Sequence, residues 1–197
     1  MAAPPDAPTE LDDITIMARS EQRPDLFAVL YERYFDPIHR YVAARLGTHI
    51  ADDVAAETFL VAFRKRPGFD PAIGGVRPWL YGIATKLVAQ HHRSETRRLA
   101  AFQRTPVHVA DGGHEDRVTA RVTAAHAQGR LAAEIARLSQ GERDVLLLTA
   151  IADLSHQEIA RTLGIPYGTV GSRLSRARGK LRTALGGVNP LIGGSDG

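Results

Sequence analysis

The chain has 197 residues, 44% of them hydrophobic, with 25 Lys and Arg against 22 Asp and Glu and not one cysteine. That length allows one compact domain or two small ones, and the apolar fraction is enough for a packed core. The missing thiols exclude disulfides and thiolate metal sites and fit a reducing cytoplasm, and no apolar run approaches the ~20 residues of a membrane span. Acids gather near the N-terminus and at 52–57, bases at 93–104 and 173–182, a pattern that points to two kinds of partner, one of them a polyanion.

Residues 1–21 read as a mobile tail. "MAAPPDAPTELDD" has neither the basic nor the apolar region of a signal peptide. A helix is expected from about Asp25, with Phe27, Leu30, Tyr31 and Tyr34 on one face. Asp36-Pro37 reads as an interruption, Asp36 capping and Pro37 opening a second helix that carries Ile38, Tyr41, Val42 and Leu46 to Gly47. "ADDVAAETFLVAFRKR" predicts a helix with acids at its start and bases at its end, as the helix dipole favours. The Gly- and Pro-rich stretch 67–77 must be a loop. Pro78 then opens a helix whose Trp79, Leu80, Ile83 and Leu87 are expected to face inward.

Residues 100–123, broken by Pro106 and Gly112-Gly113, read as a linker. Helices resume beyond it. Ser139-x-x-Glu142 and Ser155-x-x-Glu158 are two capping boxes, each a hydroxyl cap answered by a carboxylate three residues on. The second opens "SHQEIARTL", Gly164 turns the chain, and a basic helix follows. In that helix Val170, Leu174, Ala177 and Leu181 make the apolar stripe of an amphipathic helix. Arg173, Arg176 and Lys180 form a separate ridge, with Arg178 and Arg182 beside it. Short helix, glycine turn, second helix is the helix-turn-helix plan, whose second helix enters the DNA major groove. Thr169, Ser172, Arg173 and Arg176 face the DNA, with Ser172 and the two arginines as base readers. Arg178, Lys180 and Arg182 fall where phosphates would run. No stretch alternates with strand period, so the fold is read as all-α: two small helical domains, joined by a flexible linker, with a tail at 188–197.

His91, His92 and Glu95 could suggest a metal cluster, but a third suitably spaced ligand is missing and Arg93, Arg97 and Arg98 would repel a cation. They read instead as a basic, DNA-facing surface. No phosphate loop, zinc-protease motif or nucleophile elbow is present. The expectation is a protein without catalytic residues, metal or cofactor.

Residues 138–182, "LSQGERDVLLLTAIADLSHQEIARTLGIPYGTVGSRLSRARGKLR", resemble the promoter-reading region 4 of extracytoplasmic-function sigma factors. "DDVAAETFLVAFRKR" and "PWLYGIATKLVAQHHR" resemble region 2 of the same family, in the right order and spacing. The resemblance spans roughly residues 22–186 and implies a bacterial, cytoplasmic protein whose partners are core RNA polymerase and promoter DNA, with an anti-sigma factor as a further candidate. It implies that residues 22–99 bind polymerase and the −10 element, and residues 124–187 the −35 element. Asp52, Asp53 and Glu57 would dock on the clamp helices of the largest polymerase subunit. Arg77, Trp79, Lys86, Gln90 and Arg93 would meet the −10 strand, although helix spacing points Trp79 toward the core. Three positions depart from the family pattern: Ala56 stands for the usual Gln, Thr85-Lys86 for Arg-Asn, and Gly171 for a basic residue. The rival reading is a helix-turn-helix regulator of the response-regulator type, but residues 22–98 lack the strand runs of a receiver domain.

Overall fold

The structure, a computed structural model, describes residues 11–102 and 122–186. Among them eight α-helices carry the fold and no strand occurs: α1 Asp13–Arg19, α2 Phe27–Leu46, α3 Thr48–Lys65, α4 Val76–Phe102, α5 Val122–Arg137, α6 Gln140–Ala150, α7 His156–Leu163 and α8 Tyr167–Ala184. Short 3₁₀ turns at Pro24–Leu26 and Arg66–Gly68 precede α2 and follow α3. Most of the expected linker, residues 103–121, and the tail at 188–197 lie outside the described residues.

The N-terminal segment corrects the sequence reading, which assigned residues 1–21 to a tail. The Asp12 carboxylate accepts the N–H groups of Ile14 and Thr15, both at 3.0 Å, and so caps α1. Ile16 and Met17 are then buried against the α2 core, and Arg33 and Tyr34 both reach back to Asp13. Seven residues with two inward side chains are too short for a helical period to register in the sequence.

A second correction concerns Pro37. No break occurs there, and α2 runs unbroken for 20 residues with Pro37 inside it. An interior proline costs ~3 kcal/mol. Leu30 before it and Ile38, Tyr41 and Val42 after it are all fully buried on one core, and each such side chain contributes about 1.5–3 kcal/mol. Burial on both sides therefore outweighs the lost hydrogen bond. Gly47, at φ +84°, then turns the chain directly into α3.

Along α4 the wholly buried row is Leu80, Ala84 and Val88, one residue on from the Trp79, Ile83, Leu87 row expected to face inward. Ile83 is still buried, whereas Trp79 and Leu87 are half-buried at the rim. Tyr41 and Tyr81 meet edge to face with centroids 5.3 Å apart. Thr85 Oγ1 donates to the Tyr81 carbonyl at 2.7 Å, so the Tyr41 hydroxyl must donate to Thr85 at 2.8 Å. Burial pushes the Tyr41 phenol up to about 12. Thr85, one of the departures from the family pattern, is thus a core residue.

In the C-terminal half both capping boxes form, and Gly164 ends α7 in the left-handed conformation at φ +63°. The stripe Val170, Leu174, Ala177 and Leu181 is buried against α6 and α7, together with Val145, Leu148 and Ile159. The two halves touch: α7 packs on α4, and α6 on α2.

If α1 belongs to the core, Ile16→Ala should lower the unfolding free energy by about 2–5 kcal/mol in a denaturant titration. A tail residue would move it by less than ~0.5 kcal/mol.

Candidate nucleic-acid interface

With its apolar stripe consumed by the core, α8 turns Ser172, Arg176, Arg178 and Arg182 to solvent. Thr169 is half-buried. Arg173 is also half-buried, because its guanidinium lies over the start of α6: a Cβ on Gly141 would come within 2.8 Å of its Nη1. Arg173 must therefore swing off Gly141 to reach a base, whereas Arg176 is already presented.

Lys180, expected beside a phosphate, is ion-paired within the structure. Its Nζ donates to both carboxylate oxygens of Glu142, at 2.9 and 2.8 Å. The same carboxylate accepts the backbone N–H of Ser139 at 3.0 Å and its hydroxyl at 2.8 Å. Lys180 and Ser139 together draw the buried Glu142 carboxyl down to about 2. One side chain thus closes the capping box of α6 and straps α8 to it, so Lys180 is a strut rather than a free cation. A link across 38 residues of sequence has no local signal.

On the N-terminal half, Asp52, Asp53 and Glu57 are all exposed on one side of α3, together with Ala56 and Leu60, the last 49% exposed. His39 Nε2 lies 3.2 Å from Asp52. Next to this acidic face opens a groove of about 610 Å³ between α3, the 66–75 loop, α4 and α7. Phe69 and Trp79 stand in its wall, edge to face with centroids 5.4 Å apart. Lys86 and Gln90 line it further along, both exposed, and Arg93 lies exposed one turn on. Spacing alone placed Trp79 in the core. The one-residue rotation of α4 brings it to the groove instead, beside the other −10 candidates.

Arg77 is engaged elsewhere, donating to the Asp153 carbonyl at 3.1 Å. His92 does not face outward as a basic surface residue. It is half-buried, its Nε2 is buried without a hydrogen-bond partner, and burial followed by the nearby Arg45 and Arg143 charges holds its pKa below the ordinary value. Sequence reasoning missed Arg45 altogether; its side chain is fully buried and ion-paired with Asp144 of α6. No three metal-ligating side chains converge among the described residues, and no helix among them is long and apolar enough to cross a membrane.

The Sigma-70 region 2 family matches residues 30–98, and the Sigma-70, region 4 family matches residues 128–181. The probable RNA polymerase sigma-C factor of Mycobacterium bovis is 36% identical over 150 residues, covering 73% of this chain and 75% of that protein. The ECF RNA polymerase sigma factor SigW of Bacillus subtilis is 31% identical over 174 residues, covering 82% and 89%. Among solved structures, CnrH in complex with the cytosolic domain of CnrY superposes with a TM-score of 0.66 at 26% identity, over 88% of this chain and 97% of that one.

The Glu142 strap makes a pH prediction. A carboxylate lowered in the folded state contributes stability that is complete above its unfolded value, near 4.5, and is lost as the pH falls toward about 2. Thermal melts of the wild type should therefore fall more steeply than those of Glu142→Gln between those limits. Parallel profiles would show that the carboxylate is not carrying the strap.

Proposed function

The chain belongs to the extracytoplasmic-function sigma factors of RNA polymerase, and we propose how its surfaces divide that work. The protein directs promoter-specific initiation by binding core polymerase and promoter DNA, and the response-regulator-type alternative is not favoured. In our reading residues 22–99, extended at the front by α1, form the polymerase and −10 domain, and residues 124–187 the −35 domain. The protein works in the cytoplasm and supplies no catalytic group; bond formation belongs to the polymerase.

The observation that carries this reading is the division of α8 into a stripe buried to within 4% and an outward face of Ser172, Arg176, Arg178 and Arg182. A helix so divided can enter a major groove without unfolding anything. Arg176 reads a guanine edge bidentately and Ser172 and Thr169 add contacts beside it. Arg173 joins once it leaves Gly141, and Arg178 and Arg182 hold phosphates. Lys180 keeps its place beside the phosphates, with its ammonium also paired to Glu142.

At the other end, Asp52, Asp53 and Glu57 present charge to the basic clamp helices, and Leu60 beside them adds an apolar contact where the usual Gln is replaced by Ala56. The Phe69–Trp79 wall takes an unstacked base by ring contact, with Lys86, Gln90 and Arg93 guiding the strand. An anti-sigma factor is a further partner. CnrH is recorded with the cytosolic domain of CnrY bound, which supports a protein regulator for this chain.

Arg176→Ala should weaken binding to the −35 duplex by about 1–3 kcal/mol and relax discrimination at one base pair. Arg182→Ala should weaken all duplexes alike and lower the salt slope by about one. Equal discrimination by wild type and Arg176→Ala in titrations at fixed salt would remove Arg176 as a base reader. Reversing Asp53 and Glu57 to Lys should abolish capture by core polymerase in a pull-down while −35 duplex binding persists. Normal capture of that folded double variant would place the docking face elsewhere.

A further inference from the structure

Tyr167 opens α8 and is 63% exposed, although an aromatic side chain of its size normally buries most of its surface. Its ring is nevertheless held. His156, at the start of α7, meets it edge to face with centroids 6.0 Å apart. His156 is itself set by the capping box of α7, in which the Glu158 carboxylate accepts the Ser155 N–H at 2.8 Å. The phenol therefore stands at the front of the helix-turn-helix, steadied on one side and open to solvent on the other.

The row on which it lies limits what it can touch. Tyr167, Gly171, Arg178 and Arg182 recur at i, i+4, i+11 and i+15. They share one flank of α8, between the buried stripe and the face of Ser172 and Arg176. The two arginines hold phosphates, so the tyrosine lies at the opposite end of a phosphate-facing row. Gly171 accounts for its exposure. A helical side chain leans toward the N-terminus and covers the turn before its own Cα, so a long residue at 171 would lie across Tyr167. Glycine leaves that place empty, and a Cβ there would meet nothing within 4 Å. Where the family pattern has a basic residue, this chain has a gap beside an exposed phenol.

We propose that Tyr167 supplies the DNA contact that Gly171 gives up: its hydroxyl donates to a phosphate of the −35 duplex, at the front of the row that Arg178 and Arg182 continue. The proposal rests on the sigma-factor reading of α8. A phenol suits this place, because it is an uncharged donor that grips a phosphate oxygen by a directed hydrogen bond. It carries no base information, and Ser172 and Arg176 on the neighbouring face stay free to read base edges. The row runs about 22 Å from Tyr167 to Arg182, at ~1.5 Å per residue. Its two ends therefore meet different phosphates, and a loss at either end can be located separately.

The test uses holoenzyme assembled from the full-length chain and core polymerase, titrated by fluorescence anisotropy against a promoter duplex that the wild type uses. Tyr167→Phe keeps the ring and its His156 contact and removes only the hydroxyl. It should weaken binding by about three- to tenfold, equally for −35 sequences that differ in their bases. Its salt slope should match that of the wild type, in contrast to Arg182→Ala. A methylphosphonate at the contacted phosphate should cost the wild type the same factor and Tyr167→Phe nothing further. Gly171→Arg should recover most of the affinity lost in Tyr167→Ala, because the arginine fills the empty place; an arginine that recovers nothing overturns the proposal. So does Tyr167→Phe binding as the wild type does, a loss confined to one −35 base pair, or a methylphosphonate scan in which every substitution penalises both proteins alike. Failure of the wild-type holoenzyme to select any promoter would instead count against the sigma-factor reading beneath it.

Discussion

A guanidinium that reaches no water must find a carboxylate, and Arg45 of α2 finds Asp144 of α6. This pair ties α2 to α6 where the two helical halves meet, beside the packing of α7 on α4. It also brings His92 and Arg143 into one electrostatic neighbourhood, where a single carboxylate faces several cationic or potentially cationic groups. Burial, then the Arg45 and Arg143 charges, lower the His92 pKa below its ordinary value. The Arg143 guanidinium keeps its charge and has N–H groups satisfied by the carbonyls of Ile135 and Leu138 at the end of α5. The seam thus contains charges that are satisfied partly by local carbonyls and only partly by each other.

Within each half the same economy recurs. Both α3 and α8 consume an apolar stripe in the core and leave a charged or polar side exposed. In α3, Ala51, Val54, Ala55, Thr58 and Phe59 are buried while Asp52, Asp53, Ala56, Glu57 and Leu60 are exposed. In α8 the buried and basic rows are similarly offset. Lys180 is an exception among the basic residues of α8, since Glu142 takes its charge to hold the α6 cap and the α8 register at once. The α8 helix is therefore tied to α6 near its C-terminal end, while Ser172 and Arg176 remain exposed.

The groove beside Trp79 shows how a small rotation changes which side chain reaches the surface. Trp79, Ile83 and Leu87 have the larger apolar side chains, so periodicity favours their row as the buried one. Ala84 in the competing row is small enough to let α4 approach its neighbours closely, and dispersion contacts reward that approach. The helix therefore settles on Leu80, Ala84 and Val88, and the indole is left at the rim with Phe69. Hydrophobicity ranks residues, but volume chooses between adjacent rows.

From the residues alone followed the all-helical class, both capping boxes, the Gly164 turn, the buried stripe of α8 and the division into acidic and basic helix faces. Each of these depends on residues within about one or two turns of one another, where spacing maps directly onto geometry. Tertiary structure decided what no local spacing could. It kept α2 whole through Pro37, because Leu30 and Ile38 share a core on both sides of the proline. It drew Asp13–Arg19 out of the expected tail, because Ile16 and Met17 had a surface to bury against. It paired Lys180 with Glu142, put Trp79 in a groove wall and buried Arg45 against Asp144, because their partners stand at a distance in the chain or on a row chosen by packing. Charge and hydrophobic pattern state what each side chain needs; the folded arrangement alone determines which distant group meets that need.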